Sequence, residues 1–88
     1  MLASEIAGAK FTPTKWREGY EQDEVDEFLV EVGNSLSTWE HGIPGRLTAA
    51  DVVTKRFQPT KFRAGYDQDQ VDDYLDEVSR TLQAFEQR

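Results

Sequence analysis

The sequence predicts an all-α chain: two short-helix/loop/long-helix repeats whose long helices pack as a coiled coil or a small bundle. Three observations predict it. The chain repeats itself at a constant offset of 46 residues, as Tyr20 and Tyr66 show. Each copy ends in a stretch whose apolar residues recur every 3.5 residues. Proline and a Gly-Tyr pair punctuate the same two points in both copies.

The repeat comes first because it sets the organisation. Phe11-Thr12-Pro13-Thr14-Lys15-Trp16-Arg17-Glu18-Gly19-Tyr20 returns as Phe57-Gln58-Pro59-Thr60-Lys61-Phe62-Arg63-Ala64-Gly65-Tyr66 without a gap. The first repeat is assigned to residues 1–41, a Gly/Pro-rich connector to 42–46 and the second repeat to 47–88. The opening helix is clearest in the second copy, where Thr48 is a good N-cap and Asp51 suits the positive helix end. The first copy offers only Leu2 and Glu5 at the matching positions, so its opening helix is expected to fray. Pro13 and Pro59 then force extended geometry.

The long helices start after the Gly-Tyr pairs. Asp67 with Gln70 three residues on reads as a capping box, and Glu21 as a weaker cap whose carboxylate still suits the helix dipole. Inside them, Val25, Leu29, Val32, Leu36 and Trp39 step by 4, 3, 4 and 3, and Val71, Leu75, Val78, Leu82 and Phe85 repeat those steps. The remaining faces are acidic and polar. An isolated helix of this length is marginal in water, so the two seams must be covered. Either the two repeats pair within one chain, or two chains form a homodimer. The small burial offered by one pair of short helices favours the homodimer.

Composition excludes several functions. The 88 residues carry 17 Asp and Glu against 10 Lys and Arg, a net charge of −7, which argues against a nucleic-acid partner. With no cysteine there is no disulfide framework and no Cys-based zinc site. The acidic run at Asp67-Gln68-Asp69 does not make a calcium loop, since Val71 stands at its fifth position and no glycine follows. His41, beside Gly42, reads as a helix end. No nucleophile–base–acid set or phosphate-cradling glycine loop can be assembled, so no enzyme activity, metal or cofactor is expected. Met1-Leu2-Ala3-Ser4-Glu5 lacks the basic start of a secretory signal, and no apolar run approaches ~18 residues. Cytoplasmic residence is the expectation.

Two loops stand out, at Lys15-Trp16-Arg17 and Lys61-Phe62-Arg63. An aromatic beside cations has three readings: the ring packs inward, it sits at lipid headgroup level while the cation meets anionic lipid, or it contacts a protein partner, as in a coiled-coil adaptor without membrane contact. Residues 1–43 hold three basic and nine acidic residues (net −6), and residues 44–88 hold seven and eight (net −1). The second loop, with Lys55 and Arg56 upstream, is therefore the better lipid candidate.

The run Gly65-Tyr66-Asp67-Gln68-Asp69-Gln70-Val71-Asp72-Asp73-Tyr74-Leu75 and its twin from Gly19 to Leu29 resemble the N-terminal domain of DivIVA-like bacterial division and polarity proteins. The upstream Leu47-Thr48-Ala49-Ala50-Asp51-Val52 segment is similar to the same family's opening helix. The resemblance implies a parallel dimer and a non-catalytic scaffold acting in cell division or polar growth. It further implies peripheral attachment at the inner face of the cell membrane, at septum or poles, and division or polarity proteins as partners. It assigns attachment to Trp16, Arg17, Phe62 and Arg63, with Lys61 adjoining. Two departures are visible: an extra residue (Glu18 or Ala64) before the glycine, and the presence of two copies in one chain.

Overall fold

The computed structural model describes residues 1–87. In chain order the elements are α1 (Ala3–Ile6), β1 (Pro13–Thr14), β2 (Gly19–Tyr20), α2 (Gln22–Glu40), α3 (Ala49–Thr54), β3 (Pro59–Thr60), β4 (Gly65–Asp67) and α4 (Gln68–Glu86). The helices fall where the sequence places them, but the fold is not all-α. Four short strands form one antiparallel sheet in the order β1-β4-β2-β3. Strands of two or three residues are too short to display an alternating pattern, and each pairs with a strand from the other repeat. Pro13 faces Tyr66, Gly19 faces both Thr60 and Asp67, and Tyr20 faces Tyr66.

That strand order reads the same when the repeats are exchanged, and the side chains follow it. Phe11 of the first repeat packs on Tyr66 and Tyr74 of the second, at centroid distances of 5.4 and 5.6 Å. Phe57 of the second packs on Tyr20 and Phe28 of the first, at 5.3 and 5.8 Å. The Asp67 N–H donates to the Thr12 carbonyl and the Glu21 N–H to the Gln58 carbonyl, both at 2.9 Å. Each repeat thus packs its short helix on its own long helix and then crosses over to pair with the other.

The glycines of the two Gly-Tyr pairs make the crossing possible. A Cβ on Gly19 would lie 2.7 Å from the Tyr66 carbonyl oxygen, and one on Gly65 would lie 2.9 Å from that of Tyr20. The strands approach too closely there for any side chain.

The two long helices run parallel. Near their starts the Tyr20 hydroxyl donates to Asp72 Oδ1 and the Tyr66 hydroxyl to Asp26 Oδ1, each at 2.8 Å. Near their ends Trp39 and Phe85 stack, with centroids 6.1 Å apart and planes 23° from parallel. The seams are covered inside one chain. Val25, Val32, Leu36, Val71, Val78 and Leu82 have no exposed surface, and Leu29 and Leu75 are nearly as buried. A regular coiled coil is not what covers them. Ile6, Leu47, Val52 and Phe57 complete the same core, so each seam faces a composite of long helix, short helix and aromatic crossover. The short helices and aromatic crossovers supply surface that a pair of long helices alone would lack.

The caps show where local rules held. Thr48 and Asp51 form a complete capping box. Asp67 caps α4 through the Gln70 N–H at 3.1 Å, but Gln70 does not reach back. Its side chain instead accepts from the Thr12 N–H (2.7 Å) and donates to Thr12 Oγ1 (2.9 Å), tying the repeats together. α1 keeps one turn, with no side-chain cap from Leu2. His41 ends α2, and Gly42, at φ +79°, lets Ile43 N–H bond the Thr38 carbonyl and Gly42 N–H the Trp39 carbonyl, a Schellman closure.

Candidate functional site

The two aromatic-basic loops lie at one pole of the molecule. Residues 15–18 join β1 to β2, and residues 61–64 join β3 to β4. β4 runs straight into α4, and β2 reaches α2 through Glu21, so both loops stand at the N-terminal ends of the parallel long helices. Their rings are not in the core: Trp16 is 78% exposed and Phe62 67%. Inward packing, one of the three readings open to the sequence, is not what the fold adopts. The core aromatics are Phe28 and Phe57, with Phe11, Tyr20, Tyr66 and Tyr74 packed against them.

Each loop places a lysine against its ring. Lys15 Nζ lies 5.7 Å from the Trp16 ring centroid, and Lys61 Nζ lies 5.5 Å from that of Phe62. This is within range of an ammonium–ring attraction worth about 0.5–1 kcal/mol at an exposed site. Phe62 has φ +62°, the left-handed region that a bulky residue rarely adopts. The second loop therefore holds its shape at a backbone cost that the first, around Trp16, does not carry.

The arginines behave differently. Arg17 Nη2 pairs with Asp67 Oδ2, and Arg63 Nη1 pairs with Glu21 Oε2 at 3.0 Å. Glu21 and Asp67 are equivalent positions, the N-caps of α2 and α4. Each loop is thus tethered to the helix start of the opposite repeat. The Glu21 carboxyl is held below the usual carboxylate range, first by the Asp23 N–H that it caps and then by Arg63. Lys55 and Arg56, expected to reinforce the second loop, turn elsewhere. Lys55 Nζ lies over the Phe28 and Phe57 rings at 5.2 and 5.7 Å. Arg56 donates to the carbonyls of Val53 and Lys55, at 3.1 Å each.

The tyrosine–aspartate crosslinks were not anticipated. Burial, followed by the hydrogen bond to Asp72, pushes the Tyr20 hydroxyl up to about 12; burial and Asp26 do the same for Tyr66. A signal was available, since Tyr20/Tyr66 and Asp26/Asp72 are identical in both copies although the aspartates lie off the seam.

Among the described residues no cluster of three or more His, Asp or Glu side chains is placed to hold a metal ion. Likewise, no helix among them is long and apolar enough to cross a membrane. The fold and loops define a class: an interlocked tandem of helix–loop–helix units presenting two outward aromatic rings from one end. Residues 47–88 match the family model described as DivIVA protein, so the second repeat is similar to a DivIVA domain. That family is structural and non-enzymatic, self-associates, and serves as a scaffold in cell division and polarity. No curated protein and no solved structure matches the chain. The family match does not extend to the first repeat, which is related to the second by the 46-residue register and the mirrored contacts described above.

Proposed function

We propose that the chain is a non-catalytic bacterial positioning module. It docks on the inner face of the cell membrane through the loops around Trp16 and Phe62, and serves division or polar growth. The residues 1–41 and 47–88, joined by 42–46, act as two arms of one unit. Paired within a chain, they bury Val25, Leu29, Val32 and Leu36 with Val71, Leu75, Val78 and Leu82. Any association with further copies or with division proteins would then use outer surfaces.

The supporting observation is the outward presentation of two large rings, each beside a cation, at a single pole. One such loop binds an anionic surface weakly; two held rigidly together gain by multivalency. Co-sedimentation with vesicles containing phosphatidylglycerol tests this. Wild type should pellet, and Trp16→Ala/Phe62→Ala should stay in the supernatant. Equal pelleting of the two would discard membrane docking.

A protein-binding adaptor is the second reading, and one feature favours it. Between α1 and α2 an open groove is lined by Ile6, Leu29, Gly33 and a Val30 that is 64% exposed. The second repeat carries Asp76 and Ser79 in place of Val30 and Gly33.

A further inference from the structure

The two short helices occupy equivalent seats but are fixed to them unequally. α3 is fastened along its whole length. Leu47 is tied to α2 by two hydrogen bonds, Thr48 and Asp51 close a capping box, and the Thr54 hydroxyl donates to the Ala50 carbonyl at 2.9 Å. Val52 and Phe57 are buried. The matching points along residues 1–9 are weaker. Met1 lies beside Thr81, whose hydroxyl donates to the Glu77 carbonyl of its own helix at 3.0 Å. Leu2 is 56% exposed and supplies no cap, and Ile6 is the one buried residue of α1. Gly8 stands where the second repeat has Thr54, at a cost in helix stability. The clip at the start is shared, since Glu40 holds the Ala3 N–H as Glu86 holds that of Ala49. Past residue 10 the repeats are even again. Phe11 packs on Tyr66 and Tyr74, and the Thr12 N–H bonds Gln70 as the Gln58 N–H bonds Glu24.

We infer that residues 1–9 are a strap that opens on its own, swinging at Gly8–Lys10 while Phe11 stays seated, and so uncovers the flank of α2 formed by Leu29, Val30 and Gly33. α3 and the flank of α4 beneath it stay closed. Short segments with few buried anchors are the ones that open well below the global unfolding limit. Ile6 is what closes this flank: a Cβ on Gly33 would meet its side chain at 3.8 Å, and it lines the groove with Leu29 and Val30. With the strap lifted, Leu29 and Val30 form a continuous apolar strip on a helix whose first ten residues, 22–31, carry five acidic side chains. A fraying end thus becomes a gate on one side of the molecule. The inference goes beyond both readings above and depends on neither.

Amide hydrogen exchange of the full chain, followed by NMR, tests this at equivalent positions. The Ala9 and Lys55 N–H groups donate to the Ile6 and Val52 carbonyls, at 3.1 and 3.3 Å. Ala9 should be protected at least about tenfold less than Lys55, the combined effect of the missing cap and the glycine, while Thr12 and Gln58 are protected alike. Gly8→Ala, whose Cβ would meet the Glu5 carbonyl at an ordinary 3.7 Å, should raise Ala9 protection about two- to fivefold and leave Lys55 unmoved. Since the chain has no cysteine, Leu29→Cys and Leu75→Cys report access at two equivalent, buried positions. The first should react with a water-soluble thiol reagent about tenfold faster than the second.

Equal protection of Ala9 and Lys55 in the unaltered chain overturns the inference. So does an Ala9 amide that loses protection only together with Thr12 and the amides of α2, because the event is then the opening of a whole repeat. Equal thiol reactivity at positions 29 and 75 overturns the uncovering of α2.

Discussion

The two repeats are alike where they touch each other and unlike where they face outward. The main contacts that cross between them come in pairs. Tyr20–Asp72 is matched by Tyr66–Asp26, and Arg17–Asp67 by Arg63–Glu21. Gln70 receiving the Thr12 N–H is matched by Glu24 receiving the Gln58 N–H at 2.9 Å. Even the short helices are held alike: Glu40 Oε2 accepts from the Ala3 N–H and Glu86 Oε1 from the Ala49 N–H, both at 2.7 Å. The periphery has diverged. α3 runs six residues with its own capping box, whereas α1 manages four and depends on Glu40. Leu47, which opens the second repeat, docks on α2 of the first: its N–H donates to the buried Ser35 hydroxyl at 3.1 Å and Trp39 Nε1 donates to its carbonyl at 3.4 Å. Such a pattern is expected where the exchange of segments fixes the interior and solvent-facing positions are free to vary.

The largest expected effect probes the shared interior. Leu36 and Leu82 are equivalent and both fully buried. Leu36→Ala and Leu82→Ala should each cost about 2–5 kcal/mol in urea unfolding, with similar values at the two sites. A marked inequality would break the symmetry of the core. Next come the unequal short helices. Thr48→Ala should cost about 1 kcal/mol by removing a working cap. Leu2→Thr should gain roughly 0.5–1 kcal/mol, since Thr at that position with Glu5 would reproduce the capping box of the second repeat. Equal and opposite shifts in the two variants would make α1 resemble α3.

The effect with the narrowest range concerns the crosslinks, since it shows only at high pH, and its sign follows from the raised hydroxyls. Burial and the aspartate partners push the Tyr20 and Tyr66 hydroxyls up to about 12, from 10.0 for the free side chain. Below pH 10 both states keep the proton and the contribution to stability is complete. Above it the unfolded chain releases the proton first, so stability declines and is lost as pH passes about 12. Thermal melts from pH 9 to about 12 should show this decline, and Tyr20→Phe/Tyr66→Phe should shallow it.

Much of this was legible because it is local. The Pro and Gly-Tyr punctuation, the Thr48 and Asp67 caps, the Gly42 terminus and the seam each depend on residues within a turn or two of one another. The sheet was not legible, because its strands are shorter than the period by which strands are recognised and their partners lie across the chain. Gln70 shows the same limit. Its spacing from Asp67 fits a capping box, yet Thr12, distant in sequence, offers two hydrogen bonds where the box would give one. At the candidate site the sequence singled out the rings and cations, but not which cations are already engaged. Arg17 and Arg63 find their carboxylates only once the repeats have crossed.

The connector at residues 42–46 has a consequence for how the protein behaves in dilute solution. Two separate chains would have to meet before they could clasp, and their clasping would slacken as their number fell. With both partners on one strand, closure is a first-order event whose extent does not depend on abundance. The ends that project from the clasp can then acquire different chemistry without either losing its mate.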